Sequence, residues 1–439
     1  MWTTIAAIAT PPGVGGVAIV RVSGPEALAI ARSCVRLRGD WQPRHAHFGQ
    51  LLASDGTVVD EGLILWLPGP GSYTGEDTVE FQGHGGAYVT ARVLDRFIEA
   101  GADLALAGEF TRRAVINGKL DLTQAEAVGD LIAARTAAGA QQAMSVLAGG
   151  LTAPLKQVRE SLMTLVAHLE AGIDFPDEVE TPSPDWFHGQ VATIVTAVRA
   201  LIATSTAGQI YRHGATVALV GRPNVGKSSL LNALLRHERA IVTPYAGTTR
   251  DTLAEACDLD GLLVQLVDTA GIREADDPVE RLGIDRSRAA MAEAMLTVLV
   301  VDGSVGLTGE DTAIRDGIAG PYLIVANKAD VGSAMVPDPV PVWALTGDGL
   351  PGLEATLRAR LVTGLAPPTL AAINARHRAC LVRALENLDQ AVAAAHAGLH
   401  LDCLTIDLRA ALQAVSDVSG DSFSESVLDE VFGRFCVGK

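Results

Sequence analysis

Residues Gly221-Arg222-Pro223-Asn224-Val225-Gly226-Lys227-Ser228 form a complete G-x-x-x-x-G-K-S loop, and few folds accommodate one. The apolar run 215–220 before it reads as a strand. Residues 229–235 after it read as a helix. A strand, a glycine-rich turn and a helix wrap successive backbone N–H groups around phosphate at the helix N-terminus. Val225, Gly226 and Ser229 belong to that wrap. Lys227 is placed to neutralise the β- and γ-phosphates, and the Ser228 hydroxyl to hold Mg²⁺.

Two further fragments select the base. Asp268-Thr269-Ala270-Gly271 follows the apolar run 262–267, so Asp268 can reach Mg²⁺ through water and the Gly271 N–H can meet a γ-phosphate. Asn327-Lys328-Ala329-Asp330 follows the apolar run 322–326. Guanine offers two donors side by side, and Asp330 can accept both. Adenine would leave that carboxylate unpaired, a mismatch worth roughly four to five orders of magnitude. The three fragments, in this order and each after a strand, read as a GTP hydrolase.

The 439 residues allow two to four domains, and the 48% hydrophobic content is ample for their cores. Net charge is −17, and no segment is basic, which argues against indiscriminate nucleic-acid binding. Cys34, Cys257, Cys380, Cys403 and Cys436 lack paired spacing, so neither a disulfide framework nor a zinc site is expected. Residues 1–20 contain no Lys or Arg, and Pro11-Pro12 interrupts the short apolar start, unlike a signal peptide. No apolar run is expected to approach membrane-spanning length, and the expected location is the cytoplasm.

Residues 1–118 read as mixed α/β, with strands near 4–8, 17–22, 63–67 and 78–81 and a helix over 25–34. The loop Gly13 to Gly16 leads into a strand rather than a helix, which excludes a dinucleotide fingerprint. Residues 119–212 read as helical, interrupted at 174–184, and 365–439 resume the helical pattern. The GTPase unit at 213–364 is therefore expected as an insertion into a helical domain.

Ile272 stands where Ras-like enzymes place a water-orienting Gln. Gly247-Thr248-Thr249-Arg250-Asp251 resembles switch I of the TrmE–Era–Der–YihA GTPases. Several flanking segments resemble the MnmE (TrmE) family of tRNA modification GTPases from end to end. They are Ala9 to Gly13, Ser72-Tyr73-Thr74-Gly75-Glu76-Asp77, Gln82 to Gly86, Gly108-Glu109-Phe110-Thr111, Asn117 to Leu122, Ile173 to Glu178 and Phe435-Cys436-Val437-Gly438-Lys439.

That resemblance implies an N-terminal folate-binding α/β domain, a helical bundle, and a P-loop α/β GTPase domain inserted into the bundle. It implies GTP hydrolysis coupled to aminomethyl or carboxymethylaminomethyl modification at C5 of the tRNA wobble uridine. The family forms homodimers and works with the FAD-dependent flavoprotein MnmG (GidA) in a heterotetramer or larger assembly. Its one-carbon donor is 5-formyl- or methylene-tetrahydrofolate. Arg21, Glu80 and Lys119, with Lys439, match folate positions, and Cys436 is a candidate for one-carbon chemistry. A K⁺ cage is implied at Asn224, Thr243, Tyr245 and Thr248, Mg²⁺ contact at Thr249, and a catalytic glutamate at Glu280 beside Lys227. Thr269 and Ala270 complete the phosphate contacts. Trp343-Ala344-Leu345-Thr346 replaces the family's Ser-Ala-x-Thr, with the Ala344 N–H directed to guanine O6. His84, between glycines, reads as structural. A ribosome-assembly switch would call for an adjacent basic module, and a purely regulatory switch would not call for the N-terminal motifs.

Overall fold

A computed structural model describes residues 3–178, 182–237, 239–240, 254–268, 292, 294–328, 336–420, 425–433 and 435–439. The chain divides into two compact units. One comprises Met1–Gly129, Thr152–His188 and Arg383–Lys439, and the other Asp130–Leu151 and Gly189–Val382.

The first unit starts with β1 (Ile5–Ile8), β2 (Ala18–Ser23), α1 (Ala27–Cys34), β3 (Val35–Leu37), β4 (Ala46–Leu52), β5 (Val58–Leu67), β6 (Thr78–Gly83), α2 (Ala87–Glu99), β7 (Asp103–Leu104) and α3 (Glu109–Ile116). The strands form one seven-stranded sheet in the order β3-β4-β5-β6-β2-β1-β7. Only the β1–β7 pairing is parallel. Val20, Val22, Ile64, Val79 and Phe81 pack with Ala27, Ile30, Val93 and Phe97 of α1 and α2. These helices cover one face of the sheet. Arg21, Glu80, Leu63 and Phe48 alternate onto the other, and Leu63 and Phe48 are exposed cross-strand neighbours. The sequence reading missed β4 because Gly49 and two adjacent leucines break its alternation, and it missed α2 altogether.

The helices that follow are α4 (Leu122–Ala133), α5 (Ala137–Leu147), α6 (Thr152–Asp174), α7 (Pro184–Ala203) and α8 (Ser205–His213). After the GTPase segment come α12 (Ala375–His396), α13 (Leu401–Ser419) and α14 (Glu425–Phe432). Leu155, Val158, Leu162, Leu165 and Leu169 form a buried stripe on α6, and Leu404, Leu408, Ala411, Val415 and Val418 form one on α13. The two helices pack on each other, and Arg409 pairs with Glu170 across them at 2.6 Å. Helices from both sides of the GTPase segment thus share one bundle, as insertion requires.

Contrary to the sequence expectation, Pro184–His213 is long and apolar enough to cross a membrane by length and composition, with hydropathy 1.4. Its residues Phe187, Val191, Ile194, Val198 and Leu201 are buried at helical spacing inside the protein.

The second unit contains β8 (Ala215–Val220), α9 (Lys227–His237), β9 (Arg239–Ala240), β10 (Ala254–Leu259), β11 (Leu262–Asp268), β12 (Leu296–Asp302), α10 (Gly309–Asp316), β13 (Tyr322–Asn327), β14 (Val340–Val342) and α11 (Leu350–Val362). Its sheet order is β14-β13-β12-β8-β11-β10-β9. The five strands from β14 to β11 are parallel, and β10 and β9 are antiparallel additions. Near-continuous apolar strands such as β8 and β12 are buried on both faces, as parallel sheets demand. Strand order reverses between β8 and β12, which opens a crevice beyond their carboxyl ends.

One tether in the first unit carries a titratable group. Asp60, 8% exposed, accepts the N–H groups of Glu61 and His84 at 2.8 Å and holds His84 Nδ1 at 2.7 Å. The hydrogen bond and charge of Asp60 raise the His84 pKa above the ordinary 6.5. A raised folded-state pKa means the tether stabilises fully below the unfolded value, and the stabilisation is lost as pH rises through the folded one. Imidazole NMR should show His84 titrating above 6.5, and Asp60→Asn should return it toward 6.5. Identical titration in both proteins would discount the tether.

Candidate functional site

The phosphate loop leaves the end of β8 at the strand-order reversal, and α9 begins at Lys227. Lys227 is buried, and its Nζ donates to the carbonyls of Gly221 at 2.7 Å and Arg222 at 2.8 Å. Asn224 adopts φ +62, a left-handed conformation uncommon outside glycine, with its side chain exposed. Gly226 must lack a side chain, because a Cβ there would lie 2.1 Å from Asn327 Nδ2. Ser228 and Ser229 follow in the first turn of α9.

Asn327 closes β13 and is 3% exposed. Its Nδ2 donates to Val225 O at 2.9 Å, and its Oδ1 accepts the Ala344 N–H at 3.1 Å. One amide therefore joins the phosphate loop to the turn after β14. The Ala344 N–H, expected on guanine O6, is here donated to Asn327. Leu345 beside it is 83% exposed. Trp343 contributes through its backbone, which pairs with Asp348 and closes the turn at Gly347.

Lys328, also left-handed at φ +61, bonds Asp302 Oδ2 at 2.6 Å and Asn224 O at 3.2 Å. Burial opposes the Asp302 charge, but Lys328 and Ser304 hold its pKa below the ordinary range. Sequence reading missed Asp302; its position directly after the apolar run 296–301 was the available signal. Asp268 closes β11, beside β8. Thr243, Tyr245, Thr248, Thr249, Thr269, Ala270, Gly271, Glu280 and Asp330 lie outside the described residues.

In the first unit, three separate sequence motifs converge around Arg21. Arg21 and Glu80 are cross-strand partners, with Nε to Oε1 at 2.9 Å. The guanidinium carbon lies 5.6 Å from the Tyr73 ring centre and 5.5 Å from that of Phe110. Tyr73 is fixed by its hydroxyl contact with Thr111 at 2.9 Å. Glu76, three residues on, meets Arg113, whose side chain is 1% exposed and also binds Glu109. Asn117 Nδ2 donates to Thr74 O at 2.8 Å, and Lys119 Nζ to Pro70 O at 3.0 Å. A Cβ on Gly75 would lie 3.3 Å from Lys119 Cγ, so the loop closes tightly over that lysine.

The Phe110 N–H donates to Lys439 O at 3.2 Å, and the Gly108 N–H to Cys436 O at 3.4 Å. The tail thus lies against the start of α3, next to the ring that flanks Arg21, with Cys436 exposed. Tyr73 and Phe110 were not among the expected site residues, although both stand inside motifs singled out in the sequence. The cluster offers cationic and carboxylate groups between aromatic faces, a set suited to a planar, polar heterocycle bearing an anionic arm.

A family model described as the MnmE helical domain matches residues 122–436, and one described as the GTP-binding protein TrmE N-terminus matches residues 4–119. The chain is 45% identical to the tRNA modification GTPase MnmE of Roseiflexus sp. (strain RS-1), with 99% of each chain covered. It is 44% identical to the MnmE of Synechococcus sp. (strain CC9605), again with 99% of each covered. Among solved structures it is similar to Era from Aquifex aeolicus bound to GDP and AlF4⁻, at 26% identity and a TM-score of 0.27, covering 39% of this chain and 66% of Era.

Asn327→Ala would leave Val225 O and the Ala344 N–H without these partners in a buried setting, at roughly 1–3 kcal/mol each. GTP affinity by calorimetry should fall at least about tenfold. Unchanged affinity would show that the amide does not organise the nucleotide site.

Proposed function

The chain belongs to the MnmE family of tRNA modification GTPases, and on that premise we propose that its GTP hydrolysis drives C5 modification of the tRNA wobble uridine. The product carries an aminomethyl or carboxymethylaminomethyl group. The observation that carries the nucleotide part is the Asn327 amide, which joins the loop holding Lys227 to the turn carrying Ala344. Organised this way, the pocket would take triphosphate at one end and guanine at the other, with Asp330 accepting the base's two donors.

In this reading Lys227 neutralises the β- and γ-phosphates, and Ser228 and Thr249 hold Mg²⁺. The exposed Asn224 side chain, with Thr243, Tyr245 and Thr248, would hold K⁺, whose charge would stabilise the transition state of hydrolysis. Glu280 orients the attacking water in place of the side chain that Ile272 lacks. Arg21, Glu80, Lys119 and Lys439 hold a tetrahydrofolate, the one-carbon donor. Glu80 pairs with an amino-pyrimidinone edge, and Arg21 and Lys119 face the polar arm. Cys436 stands nearby for one-carbon handling.

The exposed β4–β5 part of the sheet face opposite α1 and α2, with Phe48 and Leu63, supports a homodimer formed through the N-terminal domain, residues 1–118. The helical segments 119–212 and 365–439 flank the GTPase domain, 213–364. An FAD-dependent flavoprotein partner completes a cytoplasmic assembly acting on tRNA.

Mass spectrometry of tRNA nucleosides from cells lacking the protein should show wobble uridines without the C5 group. Intact modification would remove this function. Turnover should be faster in KCl than in NaCl at matched ionic strength, by on the order of a hundredfold if the cation replaces one transition-state stabiliser. Equal rates would remove the K⁺ cage and leave the tRNA assignment standing.

A further inference from the structure

Arg222 lies within the phosphate loop, but its side chain turns out of the loop. Its Nε donates to Asp311 Oδ1 at 2.8 Å. The Asp311 side chain is fully buried, and that of Arg222 is 21% exposed. The second Asp311 oxygen accepts the Thr308 N–H at 3.0 Å and the Thr308 hydroxyl at 2.7 Å. Thr308 in turn accepts the Asp311 N–H, closing a capping box on α10. Burial by itself would push the Asp311 carboxyl up; the donors from Arg222 and Thr308 hold it below its ordinary range. A buried, charged carboxylate capping one helix therefore grips the phosphate loop through Arg222.

The grip bears on the backbone that aims the loop lysine. Arg222 offers its side chain to Asp311 and its own carbonyl to Lys227 Nζ, at 2.8 Å each. Two residues on, Asn224 holds φ +62, and a non-glycine residue stays there only where its surroundings over-determine it. One hold on that segment is Lys328 on the Asn224 carbonyl. Another is Arg222 on Asp311, and next along the loop Asn327 holds the Val225 carbonyl. Loss of the Arg222–Asp311 hold would loosen the end of the loop that bears the Gly221 and Arg222 carbonyls, on which Lys227 rests.

We propose that Asp311, acting through Arg222, is a positioning residue for phosphate binding. The pair sets the direction of the loop carbonyls, and through them the Lys227 ammonium, so that affinity for the β-phosphate depends on a contact that never touches the nucleotide. This rests on the assignment of Lys227 to the phosphates. The competing account is that Asp311 serves only as the cap of α10.

The two accounts part on which portion of the nucleotide is felt. GDP and GMP share guanine and ribose, but only GDP carries a β-phosphate. Affinities for both should be measured on the full chain for wild type, Arg222→Gln, Asp311→Asn and the double variant. Each single variant should weaken GDP on the order of tenfold, a typical coupling within one ion-pair network, and leave GMP within about twofold. The double variant should be no weaker than the worse single, and Arg222→Lys should recover part of the loss. Arg222 is partly exposed, so Arg222→Gln decides the matter should Asp311→Asn fail to fold. Parallel losses for GDP and GMP, or unchanged affinities with only a lowered melting temperature, would overturn the clamp. A wild type that binds GDP no better than GMP would instead remove the assignment of Lys227.

Discussion

The nucleotide site depends on one buried amide. Asn327 spends both ends of its side chain inside the protein, on Val225 O and the Ala344 N–H. Each partner is a backbone group that would otherwise lie unpaired away from water, and that desolvation gives the bridge its strength. The cost is borne by geometry: Gly226 has to be glycine because the amide occupies the space of a side chain. Lys328 follows in a left-handed conformation, which turns its ammonium back toward Asp302 and the Asn224 carbonyl. Phosphate loop, β13 and closing turn are thus fixed relative to one another by a few directional contacts.

The N-terminal site uses a different device. Its loop, Ser72 to Asp77, has little apolar content and is held by polar side chains on every side. Ser23 meets Thr74 at 2.8 Å, Arg113 meets Glu76 at 3.1 Å, and Asn117 meets the Thr74 carbonyl at 2.8 Å. Arg113 is almost wholly buried, so its charge is tolerable only because Glu76 and Glu109 face it. The result is a rigid rim that presents Tyr73 and Phe110 to Arg21. In a chain of net charge −17, Arg21, Lys119, Lys227 and Lys328 are each engaged by an acceptor or carboxylate, which fixes their positions.

Much of this was legible in the sequence. The strand before Gly221 and the helix after it follow from hydrophobic pattern, and the loop between them from glycine spacing. The break between α6 and α7 follows from the polar, proline-bearing stretch at 174–184. Insertion of the GTPase segment was inferable from helical pattern on both sides of it. These are local properties, carried by period, breakers and motif order within a few dozen residues.

Other features exist only once distant residues meet. Nothing in the order of the chain says that Arg222 pairs with Asp311, 89 positions away, or that Asn327 reaches Val225 across 102. Tyr73 and Phe110 stand in recognisable motifs, yet only folding places both rings over Arg21. Which sheet face α1 and α2 cover likewise depends on packing, although α2 itself was legible, with Val89, Val93 and Phe97 recurring at helical spacing. The sequence by itself determined the kinds of element and the chemistry they carry, because periodicity and turn residues act locally. Tertiary structure decided which charges are paired, which amide bridges which loops and which rings flank which cation, because burial and hydrogen-bond direction are properties of neighbours in space.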